Sequence, residues 1–312
     1  MILTKVKEIM TNPNFRYSVS NFFKESAKHP YLMSTETAKF FSHWVFCIRE
    51  EPKQGFRFEQ HSHSHFSDGA NLADIVDLLL DKRIALWSLT DHQNSKAFDS
   101  IANGKYDLNK ENKTGKKFEV EVQSDKRALI IYSGNAQIVL LRSVEYCTDK
   151  GEINIHGYSG QIPKKIIRFE DAIKLGIDAG GWIAINHPYL WQGLAYLGRQ
   201  NIELAAKIGA IAIEKNGTEI PPQIFCPVKA SLDAKEFGLA LLASGDAHKL
   251  HMYGMSGLTF NNEDYLAALK QCNGNHADSI KQLVASKNFE TYLNYLTPKQ
   301  FLDFFKFDAQ LK

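Results

Sequence analysis

The chain has little of what would place it at a membrane, outside the cell or on nucleic acid. Only four of its 312 residues are cysteine (Cys47, Cys147, Cys226 and Cys272), and they lie far apart with no CxxC pair. That excludes a disulfide scaffold and a cysteine zinc site, and fits a reduced, cytoplasmic protein. No apolar run approaches the roughly 18 residues that span a bilayer. The opening MILTKVKEIMTNPNFRYSVS has no continuous apolar stretch or small-residue cleavage site, so it does not read as a secretory signal. Neither sign of charge dominates. With 37 basic against 35 acidic side chains the net charge is +2, which leaves no electrostatic footprint for nucleic acid or anionic lipid.

Several catalytic signatures are missing as well. There is no GxxxxGK[ST] phosphate loop, no GxGxxG and no HExxH. Gly157-Tyr158-Ser159-Gly160 lacks the second glycine of a GxSxG elbow. A paired-carboxylate glycosidase would leave the histidines without a role.

What is present is a globular chain, 44% hydrophobic and 23% charged, long enough for one large domain or two ordinary ones. Residues 1–52 carry apolar and aromatic positions at helical spacing, among them Phe22, Phe23, Phe40, Phe41 and Trp44. Charge, Pro52 and Gly55 then break the pattern. From Phe56 strand-like runs alternate with helical ones: FRFEQ, ANLADIVDLLLDKR, IALWSLTDH, VLLRSVEY, GWIAINHP, GAIAIEKNG and GLALLASGDAH among them. This alternation predicts an α/β sheet or barrel with parallel strands. Residues 104–138 do not fit it and predict an inserted loop plus hairpin on a solvated surface. The tail, residues 263–312, reads as helical and packed on the barrel.

Nearly every strand-like run ends in an ionisable side chain able to bind metal. The first ends in His61 and His63, followed by Asp68; the second in Asp91-His92; the third in Glu145, with His156 following on a hairpin. The later ones end in His187, Glu214, and Asp246 with His248. The C-terminal ends of parallel strands converge on one face, so these residues are expected to meet. Taken singly each has an ordinary reading, such as a hydrogen-bonded histidine before Pro188 or a helix cap at Asp91. The coincidence at six successive strand ends favours a metal site. Imidazole plus carboxylate without thiolate suits Zn²⁺, Mn²⁺ or Fe²⁺. His61-x-His63 on an extended segment puts both rings on one side.

HSHSHFSDG, LTDH, Glu145 with His156, NHP and SGDAH resemble, in order, the motifs of the PHP (polymerase and histidinol phosphatase) family. His61, His63, Ser64, Ser67, Asp68 and Gly69 match its HxHSxxSDG motif in register, and the likeness covers residues 56–250. The resemblance implies a distorted (βα)₇ barrel with a trinuclear metal site, within residues 53–262. Carried over, it implies His61, His63, Glu145 and Asp246 for one ion, Glu145, His156 and His187 for a second, and Asp68, His92 and His248 for the third. A metal-bridging hydroxide would hydrolyse a phosphoester in a small phosphorylated metabolite or nucleotide. Asp91 would orient a ligating ring, and Arg199 and Lys249 are candidates for gripping the substrate. An oligonucleotide phosphodiesterase of the same chemistry is the alternative, disfavoured by charge; a non-catalytic metal-binding domain is another. Departures from the pattern are Glu59-Gln60 before the first histidine, His65 at a variable position, and the long gap between His92 and Glu145.

Overall fold

A computed structural model describes residues 49–163, 165–190, 192–216 and 225–297, with residues 35, 37–39, 42 and 300. Most of the predicted N-terminal helical segment and the final helical run therefore lie outside the described residues. The described part of the N-terminal segment joins the tail: Glu50 N donates to Asn294 Oδ1 at 2.7 Å and Leu293 N donates to Glu50 Oε2 at 2.8 Å.

Eleven strands form one sheet. They are β1 (Phe56–Glu59), β2 (Ile84–Leu89), β3 (Glu119–Val122), β4 (Ala128–Ser133), β5 (Ala136–Thr148), β6 (Gly151–His156), β7 (Trp182–Ile185), β8 (Ala212–Asn216), β9 (Ala240–Ser244), β10 (Gly257–Phe260) and β11 (Glu290–Tyr292). Their order is β11-β10-β1-β2-β5-β6-β7-β8-β9, with β4 pairing β5 and β3 pairing β4. The chain beyond β1 meets the chain beyond β9 in a parallel bridge, Ser62 with Ala247, so the sheet nearly closes into a barrel. His63 N donates to Ala247 O at 2.9 Å across this seam.

Helices fill the crossovers: α1 (Leu72–Asp81) after β1, α2 (Lys96–Ala102) and the single turn α3 (Leu108–Glu111) after β2, α4 (Phe169–Asp178) after β6, α5 (Gln200–Ile208) after β7, and α6 (Phe225–Glu236) after β8. α1 shows why. Asn71 caps it by accepting from Ala73 N and Asp74 N, and Leu72, Ile75, Val76 and Leu79 recur at helical spacing and are buried against β2. The α/β barrel expectation is met, but not as a literal sevenfold repeat. β5 and β6 join without a helix, and β6 runs antiparallel to both β5 and β7.

The barrel interior is graded from apolar to polar. Register aligns Phe58 with Leu86 and Leu86 with Val139 on one side, and Ala184 with Ala212 and Ala212 with Ala240 on the other. These join a cluster with Tyr265, Ile280, Leu283 and Val284 from helices α7 (Asn262–Gln271) and α8 (His276–Ala285), which plug the N-terminal end of the barrel. Toward the other end the same inward face carries Thr90, Glu145, Asn186, Glu214 and Ser244, all buried. Because side chains alternate with period 2, one pattern supplies both a hydrophobic floor and a polar mouth. Among the described residues no helix is long and apolar enough to cross a membrane.

The excursion at residues 104–138 contains the expected hairpin, Glu119 opposite Tyr132 through Val122 opposite Leu129. It is not a surface appendage. β4 pairs along β5 from Ala128–Leu141 to Ser133–Ala136, and Leu129 and Ile131 are fully buried against α1 and β2. Ile131→Ala should therefore cost about 2–5 kcal/mol in urea denaturation. Val120→Thr, at a half-exposed position of β3, should change stability by no more than about 0.5 kcal/mol. An unchanged midpoint for Ile131→Ala would make the hairpin an independent attachment.

Candidate metal centre

The first motif leaves β1 as an extended segment stitched on both sides. Besides the seam to Ala247, Thr90 N donates to Ser62 O at 2.9 Å. His61 and His63 therefore point the same way, into the polar mouth. The loop then turns tightly around Gly69, where an added Cβ would overlap the His63 carbonyl. Asp91 locks this turn: it accepts from Ser64 N at 2.6 Å, Ser64 Oγ at 2.8 Å and Ser67 Oγ at 2.8 Å. Its three donors are all on the loop, so Asp91 orients the backbone carrying the histidines, not a ring. Burial pushes its carboxyl up to about 6 against those donors.

Eight of the expected side chains meet. Glu145, 1% exposed at the mouth end of β5, lies 2.8 Å from His92 Nδ1, 2.9 Å from His187 Nε2, and 3.4 Å from both His61 Nε2 and His63 Nε2. Asp246 Oδ1 is 3.2 Å from His61 Nε2 and 3.0 Å from His63 Nε2. Asp68 Oδ2 lies 3.4 Å from Nε2 of both His92 and His248. His187 and Asp246 follow β7 and β9 with φ of 25° and 43°. This left-handed backbone is costly for a side-chain-bearing residue and is kept where it aims a group into the site.

Hydrogen bonds on the far side of two rings settle which nitrogen faces inward. His61 Nδ1 pairs with Glu214 Oε2 at 3.0 Å and His248 Nδ1 with the Asp246 carbonyl at 2.9 Å. Both partners accept, so each Nδ1 donates and Nε2 is the nitrogen turned toward the cluster. Glu214 also accepts from Asn154 Nδ2 at 3.1 Å and is thus a positioning residue.

Charge inside the cluster is strongly perturbed. Burial, helped by neighbouring His248, pulls His63 down to about 4, keeping it neutral. Burial acts the same way on His92 and His187, but carboxylates overcome it and raise them to about 11 and about 9. Burial would raise Glu145, yet His61, His187 and His92 hold it well below the usual carboxylate range. The donor set fits divalent cations. His61 Nε2 and His63 Nε2 face each other at 3.2 Å, and His63 Nδ1, Asp68 Oδ1 and Glu152 Oε2 are buried without a hydrogen-bond partner. Converging lone pairs repel unless a shared cation or proton stands between them.

Two expected residues lie elsewhere. His156 is on the inward face, but β6 runs antiparallel, so its C-terminal end points to the floor. Register places His156 opposite Ser143, two positions below Glu145 and roughly 7 Å away along the strand. There its Nδ1 meets Ser88 Oγ at 2.6 Å and its ring stacks on Trp182 at 4.1 Å. Arg199 is held by α6, with Nε donating to Asp233 Oδ1 at 2.6 Å and a second contact to Glu236 at 2.5 Å. Asp233 also accepts from the Tyr189 hydroxyl, so Arg199 fastens the segment after His187 to that helix. Lys249 stays beside the cluster, partly buried, with Asp68's charge opposing the burial that lowers its pKa. His65 turns away: its Nδ1 accepts from Leu72 N at 3.1 Å at the start of α1.

Glu152 was missed. It opens β6 at the mouth, 3.6 Å from His187 Nε2, and burial together with Glu145's charge pushes it up to about 7. The Asp149-Lys150-Gly151 turn was the available signal, since in a hairpin the residues nearest the turn share the level of the preceding strand's end. His156→Gln should leave the amount of bound divalent cation unchanged in elemental analysis while costing about 1–3 kcal/mol through the lost contact to Ser88 and the lost stacking on Trp182. His187→Ala should lower the cation content; equal loss in both would return His156 to the ligand set.

No protein-family model and no curated protein matches the chain. Solved structures do. A two-domain protein from Bacteroides vulgatus, containing a predicted PHP-like metal-dependent phosphoesterase, aligns over 79% of this chain and 69% of its own, at 15% identity and a TM-score of 0.53. PsfC from Pseudomonas syringae aligns over 83% of this chain and 100% of its own, at 11% identity and a TM-score of 0.56. The likeness to the first of these shows that the fold is that of a PHP-like protein.

Proposed function

We propose that this site is a hydrolytic metal centre for up to three divalent cations, of Zn, Mn or Fe, acting on a phosphoester in a small phosphorylated metabolite or nucleotide. The observation that carries the reading is Glu145, a buried carboxylate within 2.8–3.4 Å of four imidazoles from three different strand ends. Its two oxygens can serve two ions at once. His61, His63 and Asp246 would hold the first ion with it, His187 and Glu152 the second, and Asp68, His92 and His248 the third. Bound cations would lower the pKa of water and offset the charge that develops on a phosphoryl group.

The chain's own residues do the rest. Glu214 and the Asp246 carbonyl fix ring tautomers, and Asp91 fixes the loop. Lys249 supplies a positive charge next to the third position, where a phosphate oxygen would enter. No protein nucleophile is needed, and among the described residues no serine or cysteine pairs with a histidine at the mouth. The net charge of +2 favours a small substrate over a nucleic-acid strand.

His63→Ala and Asp246→Ala should each lower turnover of a generic phosphoester by about 10³-fold or more, with circular dichroism unchanged. Full activity in either variant would remove the assignment. Stripping the cations with a chelator should lower Tm, because a ligand present at 100 times its Kd stabilises the fold by about 2.7 kcal/mol. A screen of phosphomonoesters, dinucleotides and short RNAs with added Mn²⁺ should show preference for the small substrates; faster cleavage of RNA would reverse that choice.

A further inference from the structure

His187 reaches Glu145 from a strained backbone. Its φ of 25° is a left-handed conformation that costs a side-chain-bearing residue about 1–3 kcal/mol and lasts only where the surroundings fix it. The loop that follows, residues 188–199, does the fixing. It folds back on the histidine: Leu190 N donates to His187 O at 2.9 Å, Ala195 N donates to Pro188 O at 2.8 Å, and a Cβ added at Gly193 would overlap the His187 carbonyl. Both ends of the loop are then tied to one side chain on α6. Asp233, 1% exposed, accepts from the Tyr189 hydroxyl through Oδ2 and from Arg199 Nε through Oδ1, the latter at 2.6 Å. Arg199 is the residue at which the loop enters α5. Lys229, one turn before Asp233 on α6, lies over the Tyr189 ring at 4.2 Å from its centroid. A buried carboxylate holds such donors firmly, because losing one leaves its charge uncompensated.

We propose that Asp233 is a positioning residue for the metal centre: through Tyr189 it keeps His187 in the strained conformation that holds its ring on Glu145, and so sets the affinity for the cation bound there. This rests on the site being a metal centre. His187 Nε2 stands 2.9 Å from Glu145 Oε1, and the hydroxyl that anchors the chain two residues on belongs to Tyr189. Without that anchor the backbone at His187 is free to relax toward an ordinary φ, which swings the ring off Glu145. The same loop also carries Gln192, whose carbonyl accepts from Glu152 N at 2.9 Å, so it braces two of the side chains that face Glu145.

The test is calorimetric titration of the full chain, stripped of metal, with Zn²⁺ and separately with Mn²⁺, well below Tm. Tyr189→Phe and Asp233→Asn should each weaken one cation step by about 10-fold and leave the others in place. Glu236→Gln, which removes only the outer contact of Arg199, should change no step. Added to His187→Ala, Tyr189→Phe should cause no further loss, because the two changes act on one group. Thermal melting shows which variants are folded; if Asp233→Asn is not, Tyr189→Phe, which lacks a single hydroxyl, decides. A lowered Tm with every cation step unchanged would make the cluster a structural brace and overturn the proposal, as would a full additional loss in the His187→Ala background. A wild type that binds neither Zn²⁺ nor Mn²⁺ would instead remove the metal centre itself.

Discussion

The arrangement turns on one buried carboxylate. Glu145 has given up its hydration, a cost of several kcal/mol for an ion in a protein interior, and regains stability only from groups brought to it. Those groups come from every side: His61 and His63 beyond β1, His92 beyond β2, His187 beyond β7, and the amide of Asn186. They arrive from three separate strands, so the neutralisation of Glu145 and the closure of the barrel are one requirement. The seam at Ser62–Ala247 and the bridge between His92 and Glu145 place the tips at the spacing this charge needs.

The graded interior follows from the same logic. A barrel of this size is filled by its own side chains, and a polar group survives inside only with a partner. Small residues at Ala184, Ala212 and Ala240 opposite bulky Phe58 and Leu86 fill the floor, while α7 and α8 close it off from water. Above that layer the polar groups depend on each other, through Glu214 with His61 and Asn154, and Asp91 with Ser64 and Ser67. The hydrophobic floor supplies the stability that the strained backbone at His187 and Asp246 draws on.

β6 is where the structure departs from a simple parallel barrel, and the departure has a chemical result. An antiparallel strand presents its N-terminal end to the mouth. Carboxylate and amide therefore stand at the level of Glu145, while the imidazole of His156 is carried down against Trp182 and Ser88. Glu152 and Asn154 lie on the same inward face as His156 because side chains alternate, and strand direction alone decides which of the three is at the site.

Much of this was written in local sequence. Alternating strand and helix patterns announced an α/β barrel, and strand ends rich in His, Asp and Glu announced where a site would form, because parallel strands must end on a common face. Period 2 on His61-x-His63 and the turn residues around Gly69 needed no tertiary information either. Other features were decided only by the assembled structure. The role of Asp91 depended on which donors lay nearest in space, and Arg199 was claimed by Asp233 and Glu236 of a helix more than thirty residues away. The hairpin at 119–133 reads as solvated surface because its lysine-rich lead-in masks β4, whose Leu129 and Ile131 pack on α1 and β2 while β3 stays exposed. Glu152 stands nearer the mouth than His156 because β6 runs antiparallel, and spacing along the chain carries no sign for direction in space. Composition and periodicity specify which residues share a face; only pairing and strand direction specify which end of that face they reach.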